Sequence, residues 1–189
     1  MNNINKIKLK NIVMASLMTA VICVVSPFTI AVPISPVPIS LSNFIIYLAI
    51  IVYEFKYTLL STILYVLMGF LGLPVFSGFA GGVFKIFGPT GGYIIGYIFL
   101  VIASYGILHL SKKNSFVIQF ISLMIGTIAL YTIGTIWLCL QLNMTLIASI
   151  YAGVVPFFVF DLFKMIIAVI VGNKLKLILK ETLIKCNIS

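Results

Sequence analysis

Residues Gly72 to Tyr93 read GLPVFSGFAGGVFKIFGPTGGY, a 22-residue stretch that holds seven of the chain's 14 glycines. Apolar runs of helical length flank it on both sides, so its reading decides where the helices stop. Glycine has no Cβ, which permits left-handed turns and lets a backbone approach a neighbour or a ligand closely. The stretch lacks GxxxxGK[ST] and any strand-to-helix GxGxxG, which excludes a nucleotide cradle. It reads as a tight glycine-rich loop inside an otherwise apolar chain.

Composition sets the class of that chain. It is 62% hydrophobic and 8% charged, with a mean hydropathy of +1.28. A soluble domain is nearer half apolar and a quarter charged. The expectation is an all-α, polytopic membrane protein with one domain over residues 1–189, long enough for about six spans of about 20 residues. The net charge of +9 comes from 12 lysines scattered between apolar runs, which is not the dense basic face that nucleic acid requires. Cys23, Cys139 and Cys186 are odd in number and far apart, and no His/Cys cluster exists. No disulfide framework, metal site or cofactor is indicated. The one histidine, His109, stands near Lys112 and Lys113 at an expected helix end.

The apolar runs give the spans. Helix 1 is expected over 11–31, retained as a span rather than cleaved as a leader, with Pro27 kinking its last turns. VPISPVPIS (32–40) carries Pro33, Pro36 and Pro38 and reads as an extended loop. Helices 2 and 3 are expected over 41–54 and 57–72, helix 4 over 92–110, helix 5 over 115–140 and helix 6 over 157–173. A short interfacial helix is expected over 144–152. With six spans, one face receives Lys6, Lys8, Lys10, Lys56, Lys112, Lys113, Lys174, Lys176, Lys180 and Lys185, and the other only Lys85. The positive-inside rule then places both termini in the cytoplasm. The proline loop, the glycine-rich loop and the 141–156 connection share the outer mouth.

Two charges remain inside the apolar pattern, in PFFVFDLFK (156–164). Asp161 and Lys164 are spaced i, i+3 and share one helical face. A lone charge at mid-span costs about 2.5–3.5 kcal/mol on insertion scales, and intramembrane ionisable residues mark function by default. A structural ion pair is the plainer reading and a polar pocket floor the functional one. The outer loops add Ser40, Ser42, Asn43, Ser77 and Thr90 as polar groups, with Phe76, Phe79, Phe87 and Tyr93 as walls. A mostly apolar site with a few placed polar groups suits a small, partly hydrophobic molecule. On helix 1, Ala15/Thr19 and Ser16/Ala20 are small-xxx-small pairs that allow another helix to approach.

Three motifs carry a resemblance across nearly the whole chain. They are Pro-Val-Pro-Ile-Ser-Leu at 36–41, Gly-Leu-Pro-Val-Phe-Ser-Gly-Phe at 72–79 with Gly-Pro-Thr-Gly-Gly-Tyr at 88–93, and Pro156-Phe157 with Asp161-x-x-Lys164. In these the chain resembles the biotin-specific S component (BioY family) of energy-coupling factor transporters. Ser42 departs from the pattern, since the family usually has glutamine there. The resemblance implies a six-helix subunit of the cell membrane that captures biotin from outside. It implies partners too, a transmembrane T component and two cytosolic ATPases, with Ala15, Thr19 and Ala20 on the contact face of helix 1. The residues expected to hold the substrate are Asp161, Lys164, Tyr93, Ser77, Gly78, Gly91, Gly92, Lys85, Ser40 and Asn43.

The chemistry of the residues is compatible with that substrate. A ureido ring offers two N–H donors and one carbonyl, and Asp161 can accept while Lys164 can donate. Lys164 or Lys85 can instead hold the vitamin's carboxylate, and the sequence leaves these poses open. No Walker A motif exists, so ATP-driven transport would need a partner chain. An S component for another vitamin and a stand-alone secondary transporter are the alternatives. An intramembrane enzyme would need a nucleophile with a base, or metal ligands, and the sequence offers neither arrangement.

Overall fold

Proline 27 shapes the first part of the chain. In the computed structural model, which describes residues 3–31, 33, 35–111 and 115–188 (over 3–11 and 180–188 by backbone alone), helix α1 covers Asn3–Val25. The expected helix 1 over 11–31 is therefore too late at both ends. Pro27 ends the helix rather than kinking it, because proline disfavours the helical region for the residue before it. The chain then forms a short antiparallel ladder, β1 (Thr29–Ile30) against β2 (Ile39–Ser40), with Thr29 opposite Ser40. The 32–40 segment was expected as loop alone, and the ladder pins its end to the end of α1.

The remaining elements are α2 (Ser42–Val52), α3 (Phe55–Phe70), α4 (Val83–Ile86), α5 (Gly91–Leu110), α6 (Phe116–Leu142), α7 (Leu146–Gly153) and α8 (Val155–Ile188). Local signals explain several ends. Thr145 caps α7 by accepting from the Ala148 N–H at 3.3 Å. Asn143 stops α6 in the left-handed conformation at φ 51°, which asparagine tolerates. The turn α4 lies within the glycine-rich stretch and was not anticipated. The last helix runs well past the expected end at 173, because lysine and leucine are good helix formers and nothing in the tail breaks the ladder.

Helices α5, α6 and the Val155–Leu179 part of α8 are each long and apolar enough to cross a membrane. Ile12–Val25, α2 and α3 are shorter apolar helices. Large apolar side chains such as Ile128, Leu140 and Phe163 are exposed on the flanks. This is the pattern of a multi-pass membrane protein, in which the outward faces meet lipid. The lysines used to orient it are partly outside what can be described. Lys112 and Lys113 lie outside the described residues, as do the side chains of Lys6, Lys8, Lys10, Lys180 and Lys185. Lys56, Lys174 and Lys176 are exposed.

Lipid removes the hydrophobic drive between helices, so close packing and interhelical hydrogen bonds must hold the bundle. Helix α5 lies along α6, α2 against α8, and α1 against α3. Glycine makes the α5–α6 seam narrow: a Cβ on Gly92 would strike Trp137, and one on Gly134 would strike the Tyr93 ring. On the α1–α3 seam, Thr19 Oγ1 donates to the Ala15 carbonyl (2.9 Å), and Ser61 Oγ donates to the same carbonyl (3.0 Å). Ala15 and Thr19 are thus buried inside this chain, which removes them as exposed partner contacts; Ala20 is exposed.

Gly91 starts α5 where its missing Cβ would meet the Ile86 carbonyl. We expect Gly91→Ala to lower stability by about 1–3 kcal/mol, the usual cost of overpacking. Gly106→Ala meets open space and removes a helix glycine that costs about 1 kcal/mol relative to alanine. Melting temperatures in detergent should therefore fall for the first variant and hold or rise for the second.

Candidate functional site

Asp161 sits near the start of α8 and is buried, 3% exposed, among α2, α6 and the β2 end. Its two oxygens are used differently. Oδ1 accepts from Asn43 Nδ2 at 2.7 Å and from Lys164 Nζ at 3.0 Å. Oδ2 accepts from the Tyr131 hydroxyl at 2.6 Å. Lys164 divides its three donors among Asp161 Oδ1, Asn43 Oδ1 (3.0 Å) and the Ser40 carbonyl (2.7 Å). The i, i+3 spacing puts both charges on one face of α8, and α2 begins at Ser42, which carries Asn43 to meet them. Of the expected site residues, Asp161, Lys164, Asn43 and Ser40 are brought into one hydrogen-bonded group.

Two small cavities open on this group. The first, about 50 Å³, is lined by Asn43, Asp161, Lys164, Tyr131 and Phe157. The second, about 30 Å³, is lined by Ser42, Tyr65, Ser77 and Thr90. Val37, Pro38, Ser40, Tyr93 and Tyr97 line both and form the wall between them. Tyr93 is held by donating to the Gly153 carbonyl at 3.1 Å, and Ser35 Oγ ties the proline segment to α7 through the Ala152 carbonyl at 2.6 Å. Ser40 Oγ is paired with Ser42 Oγ at 2.6 Å. The position that departs from the family motif is thus a hydroxyl in the second cavity.

The glycine-rich stretch contributes mainly through shape. Gly78 sits at φ 76° and donates its N–H to the Pro27 carbonyl at 3.0 Å, fastening the loop to the end of α1. A side chain would be strained at that φ. Gly91 and Gly92 pack against Ile86 and Trp137, and neither lines the two cavities. The expected walls differ: Phe76 is fully buried edge-on against Tyr65, while Phe79 and Phe87 are exposed. Tyrosines replace them, because a phenol can line a cavity with its ring and still reach a hydrogen-bond partner. Lys85 is half-buried on α4 outside the spans, makes no ion pair among the described residues and lines neither cavity. Burial pushes its pKa below the usual lysine range.

Sequence reasoning missed Tyr131, Tyr97 and Tyr65. The available signal was that a tyrosine inside a span must find a polar partner, and α6 and the buried acid were the obvious match. A larger hollow of about 670 Å³ lies at the opposite end of the helices, around Tyr105 and Lys176. Size favours that hollow, but the charged group and the convergent polar side chains mark the smaller cavities as the candidate site.

The charge pair should also hold the bundle. Lys164→Ala leaves Asp161 as an uncompensated buried charge, and we expect a loss of about 3–5 kcal/mol. The double variant Asp161→Asn with Lys164→Met removes both charges and should melt above Lys164→Ala in detergent. The reverse order would deny the pair this role.

Comparison with known proteins places these features in a family. The BioY family profile matches residues 1–181. The chain is 36% identical to the biotin transporter BioY of Thermotoga maritima, over 89% of this chain and 96% of that protein. It is 31% identical to the biotin transporter BioY2 of Lactococcus lactis subsp. cremoris, over 93% and 94% of the two. Its fold is similar to the crystal structure of the S-component for biotin from an ECF-type ABC transporter, with TM-score 0.83, 29% identity and coverage of 93% and 94%. The match runs from α1 into the α8 tail, through the proline segment, the glycine-rich loop and the acid–lysine pair, and so the chain belongs to the BioY family.

Proposed function

We propose that this chain captures biotin at the Asp161–Lys164 group and acts as the substrate-binding S component of an ECF-type ABC transporter in the cell membrane. The observation that carries the proposal is the buried group of Asp161, Lys164, Asn43 and Tyr131 in a chain of this family. A transmembrane T component and two cytosolic ATPases complete the transporter. With six spans, the lysine distribution puts both termini in the cytoplasm. The T component meets α1 on its exposed Ala20 side.

The hydrogen-bond inventory favours one pose. All three Lys164 donors are engaged, whereas among the described residues Asp161 Oδ2 accepts only from Tyr131 and keeps a lone pair. One ureido N–H goes to Asp161 Oδ2, and the valerate chain runs past Tyr93 and Tyr97 toward Ser77 and Thr90. Gly78, Gly91 and Gly92 keep the mouth narrow, and Lys85 meets the carboxylate there. Each cavity is far below the ~300–1,000 Å³ of ligand sites, so binding displaces the Val37–Pro38 wall that they share.

Labelled biotin binding to the purified, detergent-solubilised chain tests this directly, with thiamine and riboflavin as competitors. Selective biotin binding is expected, and none in a folded sample would sink the proposal. Asp161→Ala should weaken binding about 10- to 100-fold, the worth of a hydrogen bond to a charged group. Asp161→Asn should lose less, since the amide keeps one acceptor; equal losses would exclude hydrogen bonding by this side chain.

Lys85 gives a pH signature. Its protonated form holds the carboxylate, so affinity is full near neutral pH, where both groups are charged, and falls as pH rises through a pKa below lysine's ordinary value of about 10.4. Lys85→Gln should bind more weakly at neutral pH and lose that part of the alkaline decline. Parent-like affinity in the variant would remove Lys85 from the site.

A further inference from the structure

The 670 Å³ hollow is built from other residues than the substrate site. Lys176 lines it and stands 12 residues beyond Lys164 on α8, about 18 Å along the axis. Its walls are the end of α2 at Ile50 and Ile51, the corner at Tyr53–Phe55 and the second half of α5. The corner is fixed. The Tyr105 hydroxyl lies 2.6 Å from the Tyr53 carbonyl and 3.1 Å from that of Ile50, and pairs with Thr58 Oγ1 at 3.0 Å. The hollow is therefore a formed space rather than slack between loose helices, and its volume falls in the ~300–1,000 Å³ range of ligand sites.

Gly106 is the informative residue. It lies inside α5 and lines the hollow, and a Cβ there would meet nothing within 4 Å. No neighbour requires glycine at that point, and the helix would gain from alanine by about 1 kcal/mol. What the glycine does is keep the groove open. The lining is mostly apolar, with Ile102 and Phe55 exposed on the flank. At the rim stand Glu54 on one wall and Lys176 and His109 on others, and none of the three forms an ion pair among the described residues.

An apolar slot whose flank exposes Ile102 and Phe55, with an acid and a lysine at its rim among the described residues, matches an amphiphile that carries both charges in its headgroup. Basic pockets between membrane helices are known phosphate-headgroup sites. The acid selects further: a primary ammonium can donate hydrogen bonds to a carboxylate, a quaternary one cannot, and a glycerol headgroup carries no cation. We propose that this groove is a phospholipid site for phosphatidylethanolamine, with an acyl chain against Ile50, Gly106 and Ile102, the phosphate on Lys176 and the ammonium on Glu54.

The test is native mass spectrometry of the delipidated full chain in detergent, after dioleoyl phosphatidylethanolamine, phosphatidylcholine or phosphatidylglycerol is added back singly. One phosphatidylethanolamine per chain is expected, retained about tenfold better than the other two, the worth of one good charge contact. Gly106→Phe should abolish that retention and leave biotin binding intact, which also reports folding. Glu54→Lys, a surface change, should turn the preference toward phosphatidylglycerol and stands as the test if Gly106→Phe does not fold. Equal retention of all three lipids, or unchanged selectivity in Glu54→Lys, overturns the proposal. So does a Gly106→Phe chain that keeps its lipid but no longer assembles with a transmembrane partner, which would make the groove a protein contact.

Discussion

A carboxylate inside an apolar bundle dictates much of what surrounds it. Taking such a charge out of water costs several kcal/mol even after relaxation, and only a partner charge with further hydrogen bonds offsets it. Asp161 obtains these from Lys164 on its own helix, Asn43 on α2 and Tyr131 on α6. Lys164 in turn needs acceptors and takes the Ser40 carbonyl and Asn43 Oδ1. Three helices and the proline segment are thereby fixed at one point. The α5–α6 glycine seam acts from the other side, bringing Tyr93 down onto Gly134 and its hydroxyl to Gly153. The two small cavities are the space left where these two constraints meet.

This division explains why the site is both rigid and small. The polar groups around Asp161 and Lys164 are already hydrogen-bonded within the protein, so binding there must exchange hydrogen bonds rather than simply gain them. The free lone pair on Asp161 Oδ2 is an exception among the described residues, an acceptor that can be used without dismantling the pair. The wall of Val37 and Pro38 carries few such bonds, which makes it the part that can yield. The hydroxyl-rich second cavity lies on the far side of that wall.

Much of the helical arrangement was legible in the sequence because lipid enforces simple rules. Charge-free apolar runs, prolines and lysine clusters located α2, α3, α5, α6 and α7 to within a few residues. Asp161 and Lys164 stood out because charges inside a span are expensive. Asn43 and Ser40 were legible as polar groups near a common mouth. What sequence could not supply was side-chain direction. Ala15 and Thr19 offered a small-residue face, but only the packing of α3 decides that this face is occupied from within, by Ser61. Phe76 and Tyr97 are both aromatic residues beside glycine-rich chain, yet one is sealed in the core and the other lines the cavity. Most glycines of the Gly72–Tyr93 stretch proved to be spaces for other parts of the protein, which composition alone does not distinguish from spaces for a ligand.

The last helix has a geometric consequence. Its 34 residues extend about 51 Å at 1.5 Å per residue, against a hydrocarbon core of about 30 Å. Even a steep inclination leaves the last turns of the helix standing clear of the bilayer. The Asp161 carboxylate and the end that projects from the membrane are thus on one continuous rod without a proline after Pro156. A rod of that kind transmits rotation without bending. Any partner that grips the projecting turns gains leverage on the Asp161–Lys164 group itself.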